Sequence, residues 1–410
     1  MKEEKRVPKR RFKEFIGDDA WEQRKLENVL VNLQNNTLSR ADLSDNQGVA
    51  KNIHYGDILI KFGEVLDLTK AILPMILEKK IVDKYKASYL RNGDVIVADT
   101  AEDETVGKCS EIAGLGNETV ISGLHTIPYR PILEFATGYL GYYMNSGTYH
   151  NQLFPLMQGI KVTSISRTAM KNTLILYPQR LEEQFKISSF FQRIDNLITL
   201  HQRKYDKLKS LKSAYLSEMF PQEGEKVPKR RFPGFTDAWE QRKLGDVVDF
   251  LDERRKPLEA GERESGVYPY YGASGIIDYV KDYIFNDELI LLSEDGANII
   301  DRNYRVCFLA SGKYWVNNHA HIMKARSEYC NGFICEALER LDYTTYNTGT
   351  AQPKLNQKTC CNIMLLVPSY AEQLKIFSML ASFDHLITLH QRKLEKLKNL
   401  KAAYLQEMFV

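Results

Sequence analysis

From Ile187 to Met219 apolar side chains return at alternating steps of four and three residues, through Phe191, Ile194, Ile198, Tyr205, Leu208 and Tyr215. The same spacing runs from Ile376 to Met408 through Leu380, Phe383, Ile387, Leu394, Leu397 and Tyr404. A stripe this narrow is the seam of a coiled coil, so each stretch predicts a long helix whose apolar edge needs a partner helix. Each stretch is the obvious partner of the other. Polar residues interrupt both seams at matching places, His201 and Lys212 in the first and His390 and Lys401 in the second. Inside a seam such residues set register and pairing, and a lysine stem can lie along the seam while its ammonium reaches water. No catalytic or metal-binding role follows for them.

The repetition extends beyond the helices. Val7-Pro-Lys-Arg-Arg-Phe12, closing on Trp21-Glu-Gln-Arg-Lys-Leu26, returns as Val227-Pro-Lys-Arg-Arg-Phe232 closing on Trp239-Glu-Gln-Arg-Lys-Leu244. The helices share Leu-Ile-Thr-Leu-His-Gln-Arg-Lys at residues 197–204 and 386–393 and finish on Glu218-Met-Phe220 and Glu407-Met-Phe409. Each half reads as a short basic lead, a variable segment and a long helix. The expected organisation is a lead at 1–26, a first variable domain at 27–178 and a helix at 179–222. A linker with the second lead at 223–244, a second domain at 245–368 and a second helix at 369–410 complete it.

Proline and glycine in Phe220-Pro-Gln-Glu-Gly224 end the first helix, and the second lead follows at once. The two variable domains are then expected at opposite ends of an antiparallel helix pair with pseudo-two-fold symmetry. About 33 residues at ~1.5 Å each make this a rod of roughly 50 Å. Within the variable segments, Asp57-Ile-Leu-Ile60, Asp94-Val-Ile-Val97, Leu289-Ile-Leu-Leu292 and Ile363-Met-Leu-Leu366 read as strands between turn signals, which predicts α+β domains.

Composition changes this picture little. The 56 basic residues are interleaved with 53 acidic ones for a net charge of +3, so any basic footprint must be local. Six cysteines lack the paired spacing of a zinc site and read as reduced thiols. No apolar run is long enough to span a bilayer, and Met1-Lys-Glu-Glu-Lys-Arg6 has no apolar signal core, which predicts a cytoplasmic protein without a membrane partner.

Counting back from Pro178 and Pro368 sets Gly159 opposite Gly349, and the loops that follow agree in their glycine while differing in polar residues. Pro269-Tyr-Tyr-Gly-Ala-Ser-Gly275, Asn317-Asn-His-Ala320, Gly349-Thr-Ala-Gln-Pro353 and Glu372-Gln373 resemble motifs of the DNA-specificity subunits of type I restriction-modification systems. In the first domain Asn92-Gly-Asp-Val-Ile-Val-Ala-Asp99, Gly107-Lys108, Ser122-Gly-Leu-His125 and Arg130-Pro131 resemble a variant of the same target-recognition domain. One departure is Glu27-Asn28 where the second copy has Gly245-Asp246, so the first domain is open to a different entry into its fold.

The resemblance implies a non-catalytic subunit that binds double-stranded DNA, one half-site per domain. Two methyltransferase subunits and two restriction and translocation subunits would be its partners. S-adenosylmethionine, ATP and Mg would be bound by those partners, with none held by this chain. Base reading in the major groove needs paired donors and acceptors, Arg or Lys for guanine and Asn or Gln for adenine. Candidates are Arg130, Gln158, Lys161 and Arg167 in the first domain and Ser274, Asn298, Asn347, Gln352 and Lys354 in the second. Arg10, Arg11, Arg230 and Arg231 are candidates for phosphate contacts, with packing against helix ends as the alternative.

Catalytic motifs are missing. No Asn-Pro dipeptide is available for an amino-methyltransferase, and Gly107-Lys108 and Gly312-Lys313 do not continue as a phosphate loop. Glu78-Lys-Lys80 has nuclease-like spacing without a suitable Pro-Asp before it, and His319 and His321 lack further nearby ligands for a metal. A coiled-coil scaffold that binds only proteins is the competing reading. It leaves two variable domains with groove-reading residues unexplained.

Overall fold

The computed structural model describes residues 6–159 and 161–410. The chain forms two compact units, one of residues up to Gln202 together with Arg392–Val410 and the other of Arg203–Gln391. The boundary therefore falls inside both long helices, Leu181–Glu218 and Tyr370–Met408. Each unit owns one α+β domain and a portion of each helix.

In the first unit a five-stranded sheet runs in the order Leu30–Asn32, Thr126–Pro131, Val95–Ala98, Cys109–Ala113, Val65–Asp67. A three-stranded sheet of Met75–Ile76, Ala50–Ile53 and Val120–Ser122 adjoins it in sequence. In the second unit a four-stranded sheet runs Val248–Phe250, Ala320–Ala325, Leu289–Ser293, Cys307–Ala310, and a second one contains the hairpin Ser265–Gly272 and Gly275–Val280. The first four strands of one main sheet match the four strands of the other in order. Two dissimilar sequences thus build one central sheet.

The repeated motifs close each domain in the same way. Glu22–Lys25 pairs antiparallel with Leu174–Tyr177, and Glu240–Lys243 pairs with Met364–Val367. Trp21 and Trp239 are buried just before those strands. The helix endings fill the same cores: Phe409 packs against Trp21, Tyr139, Tyr143 and Phe191, while Phe220 packs against Trp239 and Phe333. Aromatic pairs of this kind contribute roughly 0.5 to 1.5 kcal/mol beyond area burial, which gives Glu-Met-Phe a structural reason to recur.

Within each unit the helix portions run antiparallel. Phe190 meets Tyr404 and Asp195 meets Lys401 in the first unit, and Lys212 meets Asp384 and Tyr215 meets Phe383 in the second. Seam residues Ile187, Phe191, Ile194, Met219, Ile376, Leu380, Leu394 and Met408 are buried, and Ile198, Tyr205, Leu208, Tyr215, Phe383, Ile387, Leu397 and Tyr404 are half-buried.

Three sequence expectations change. Residues 57–60 belong to the short helix Tyr55–Ile60, which His54 caps by accepting from Gly56 N, because an apolar run this short fits either state. The two seam lysines do not simply reach water: Lys212 pairs with Asp384, and Lys401 bridges Asp195 and Glu64. The differing domain entries also converge. Leu26–Asn28 forms a 3-10 turn and Leu244–Val247 a short helix, yet both lead into the edge strand of the main sheet.

Candidate nucleic-acid interface

The loops that follow Gly159 and Gly349 are closed at matching places, the first by two backbone bonds and the second by one backbone bond and one side-chain bond. Gln158 and Ser164 exchange both backbone bonds at 2.9 and 2.8 Å. At the matching place Thr348 N donates to Lys354 O at 2.8 Å, and Lys354 N donates to the Asn347 side-chain oxygen at 2.9 Å. Both glycines are required by close approach: a Cβ on Gly159 would lie 1.9 Å from Val162 O, and one on Gly349 would lie 1.8 Å from Gln352 O. Ser166 and Asn356 then cap the next short helices, accepting from Ala169 N and Thr359 N. Gln158, Lys161, Gln352 and Lys354 are exposed on these loops.

Each loop is docked on the end of a central strand. Ile165 N donates to Asp99 O at 2.8 Å, and Leu355 N donates to Glu294 O at 2.7 Å. The residue entering the neighbouring strand is a histidine in both domains, with Asp99 N donating to His125 O at 3.1 Å and Glu294 N donating to His319 O at 2.9 Å. The separate motifs of the second domain meet here. Ser293 Oγ donates to Ala273 O, fixing the turn that exposes Ser274, and Asn317 accepts from His319 N while its own backbone N–H donates to Tyr271 O.

Beneath the second loop lies a charged cluster. Buried His321 bonds Asp252 through Nδ1 at 2.6 Å and Leu355 O through Nε2 at 2.7 Å, and Asp252 also accepts from Ile322 N. Burial opposes the imidazolium, yet hydrogen bonding to Asp252 and Cys360 pushes His321 up to about 10. Arg255 and Lys354 both pair with Glu294. His321 is thus an ionic brace under the loop, while His319 faces Asp295.

Several candidates hold structural bonds instead of an open edge. Arg130 clasps buried Asp94 through two nitrogens at 2.9 and 2.7 Å and also bonds Tyr89 O, so the fork expected to read guanine ties a strand to a turn. Asn298 bonds the backbone of Tyr304 through both its oxygen and its nitrogen, which occupies the pair expected for adenine. Asn347 spends its oxygen on Gly349 N and Lys354 N. Arg167 bonds Asn35, whose amide also donates to Gly123 O, placing Arg167 beside the loop by way of a residue the sequence did not single out.

The repeated arginines divide in two. Arg11 makes two 2.7 Å bonds to buried Glu183, and Arg231 bonds buried Glu372 at 2.7 and 2.8 Å. Each therefore packs against a helix start, the alternative to phosphate contact. Gln184 and Gln373, the next residues, accept from Ala136 N and Cys330 N and donate to Pro178 O and Pro368 O. Arg10 and Arg230 are exposed, each paired with a glutamate at a helix end and stacked on a tyrosine, Tyr404 or Tyr215.

Two unlike α+β domains with matching loops, each clasped to a long helix by a repeated Arg–Glu pair, define a duplicated two-domain recognition protein. The family model for the type I restriction modification DNA specificity domain matches residues 18–210 and 236–399, and the chain belongs to that family. A putative type I restriction enzyme specificity subunit of Haemophilus influenzae is 32% identical over 141 residues, covering 34% of this chain and 36% of that protein. The MjaVIII type I specificity subunit of Methanocaldococcus jannaschii is 24% identical over 186 residues, covering 42% of each. These matches thus span well under two thirds of either relative. The crystal structure of a type I restriction-modification S subunit from M. genitalium shares the fold at a TM-score of 0.66 and 14% identity, over 98% of this chain and 99% of that one.

Proposed function

We propose that this chain is the DNA sequence-recognition subunit of a type I restriction-modification complex and carries no catalysis of its own. It reads a bipartite, asymmetric site, one half-site per domain, with an unread spacer set by the helices. The observation that carries this reading is the pair of loops at residues 158–164 and 348–354. They close at matching positions and dock on the matching strand of each sheet but present different exposed side chains, Gln158 and Lys161 against Gln352 and Lys354. A common scaffold with unlike polar tips suits two domains that read different bases.

Methylation of adenine N6 and restriction then belong to partner subunits, which would supply S-adenosylmethionine, ATP and Mg. Two methyltransferase and two restriction subunits are the proposed complement. Duplicated exposed apolar residues on the helices, Leu197, Leu200 and Leu211 matching Leu386, Leu389 and Leu400, support two copies of one partner. No helix among the described residues is long and apolar enough to cross a membrane, and a cytoplasmic location goes with the DNA substrate.

The test is methylome sequencing of cells that express the chain with its methyltransferase partner. Inserting four residues, about one helical turn, at matching positions of both long helices is expected to lengthen the spacer and leave both half-sites intact. Altered half-sites with an unchanged spacer would overturn the ruler role. Replacing residues 245–368 with the corresponding domain of a relative is expected to change one half-site only.

A further inference from the structure

The two histidines that enter matching strands, His125 before Thr126–Pro131 and His319 before Ala320–Ala325, are exposed and belong to neither core. Each backbone carbonyl has a folding role, accepting from the residue that follows the central strand, and that role does not use the imidazole, although His125 fills it at a positive φ of 55°. The imidazoles are separate from that role. Their side chains are 47% and 50% exposed.

Both rings are nevertheless held. His319 Nδ1 lies 2.8 Å from Asp295, while His125 Nδ1 lies 3.4 Å from both Asp99 and Thr100 Oγ1. Thr100 in turn donates to Asp99 at 2.7 Å, and Tyr55 sets its edge against the His125 ring at 5.2 Å between centroids. An acid held at Nδ1 turns Nε2 to the opposite side of the ring and fixes where its hydrogen bond can go. An exposed side chain oriented this way, in two places, is built to meet something.

We propose that His125 and His319 are a matched pair of DNA-backbone contacts, one in each domain, that bond phosphate oxygens through Nε2. The inference rests on the reading that each domain binds a half-site. The loop tips differ because they face different bases, whereas the histidines stand at the same place in both domains. What two unlike half-sites have in common is the phosphodiester backbone, which positions a protein without specifying sequence. A base-reading residue would have no reason to match across domains with different targets. The acid that holds each ring comes from neighbouring positions, Asp99 in one domain and Asp295 in the other, so the same orientation is reached by two local routes.

The experiment uses the complex with its methyltransferase partner and two duplex oligonucleotides, one with the site found by methylome sequencing and one scrambled. H125A, H319A and the double variant are compared with wild type. Each single substitution is expected to weaken binding to both duplexes by the same factor, roughly ten- to a hundredfold for one hydrogen bond to a charged group, with the methylated motif unchanged. The double variant is expected to lose the product of the two factors. A thermal melt equal to wild type checks that the domains remain folded, and H319K, which supplies a donor at the same place, is expected to recover part of the affinity on both duplexes.

Unchanged affinity, or a loss confined to the cognate duplex with a new base preference, would overturn the proposal. If the wild-type complex itself methylates no bipartite motif, the reading of the whole chain falls first. A wild type with a clear motif and variants that behave like it would overturn the histidine contact alone.

Discussion

Lys401 Nζ lies 2.6 Å from Asp195 in the seam of the first unit, and the matching pair in the second unit, Lys212 and Asp384, is also 2.6 Å apart. Each duplicated seam lysine therefore meets the duplicated aspartate of the other helix, and the register of the antiparallel portions is marked by the same bond in both units. Their surroundings differ. Lys401 also bonds Glu64 at 2.7 Å with only 15% of its side chain exposed, whereas Asp384 is 49% exposed.

That difference sets the first prediction. K401A leaves two carboxylates facing each other without their cation and is expected to cost about 2 to 3 kcal/mol, below the figure for a fully buried pair because water reaches the acids. K212A is expected to cost within about 1 kcal/mol, since Asp384 can turn to solvent. Urea denaturation of both variants checks the order, and equal losses would contradict it.

A second prediction separates the repeated arginines. R231A strips the two bonds from buried Glu372 and is expected to destabilise the second domain by roughly 2 to 4 kcal/mol. R230A removes an exposed pair with Glu218 and should leave the thermal midpoint close to wild type. A large stability loss for R230A with none for R231A would reverse the assignment.

The third prediction is a pH dependence. His321 is raised in the folded state to about 10, against roughly 6.5 when unfolded. Its charged bonds to Asp252 and Leu355 O thus contribute stability that is fully present below about 6.5 and lost as pH rises through about 10. H321Q cannot carry the charge, so its stability gap from wild type is expected to shrink as the pH is raised over that interval. A gap that stays constant would mean the imidazolium is not what braces the loop.

The fourth prediction concerns loop shape. G349A would place a methyl 1.8 Å from Gln352 O, and G159A would place one 1.9 Å from Val162 O at a φ of +115°. Either loop must open to accept it. Because the loop tips are exposed, melting is expected to change little while methylation at one half-site falls or relaxes, the second for G349A and the first for G159A. Within the second loop, Q352A is expected to cost about 1 to 3 kcal/mol at a single base pair.

What the sequence determined by itself is what repeats along it. The heptad spacing, the two leads and the Glu-Met-Phe endings are local patterns whose physical meaning does not wait for a partner, and so the long helices and the tandem halves were legible. Gly159 opposite Gly349 was legible too, through the fixed distance to Pro178 and Pro368. The fate of polar side chains was not, because a donor type does not say which acceptor the fold will bring to it. Arg130 meets Asp94 from 36 positions away, and Lys401 meets Glu64 from 337. The equivalence of His125 and His319 was likewise invisible in dissimilar segments. It emerges only when the strands they enter are paired in one order, since sheet order, and not sequence spacing, decides which residues stand together.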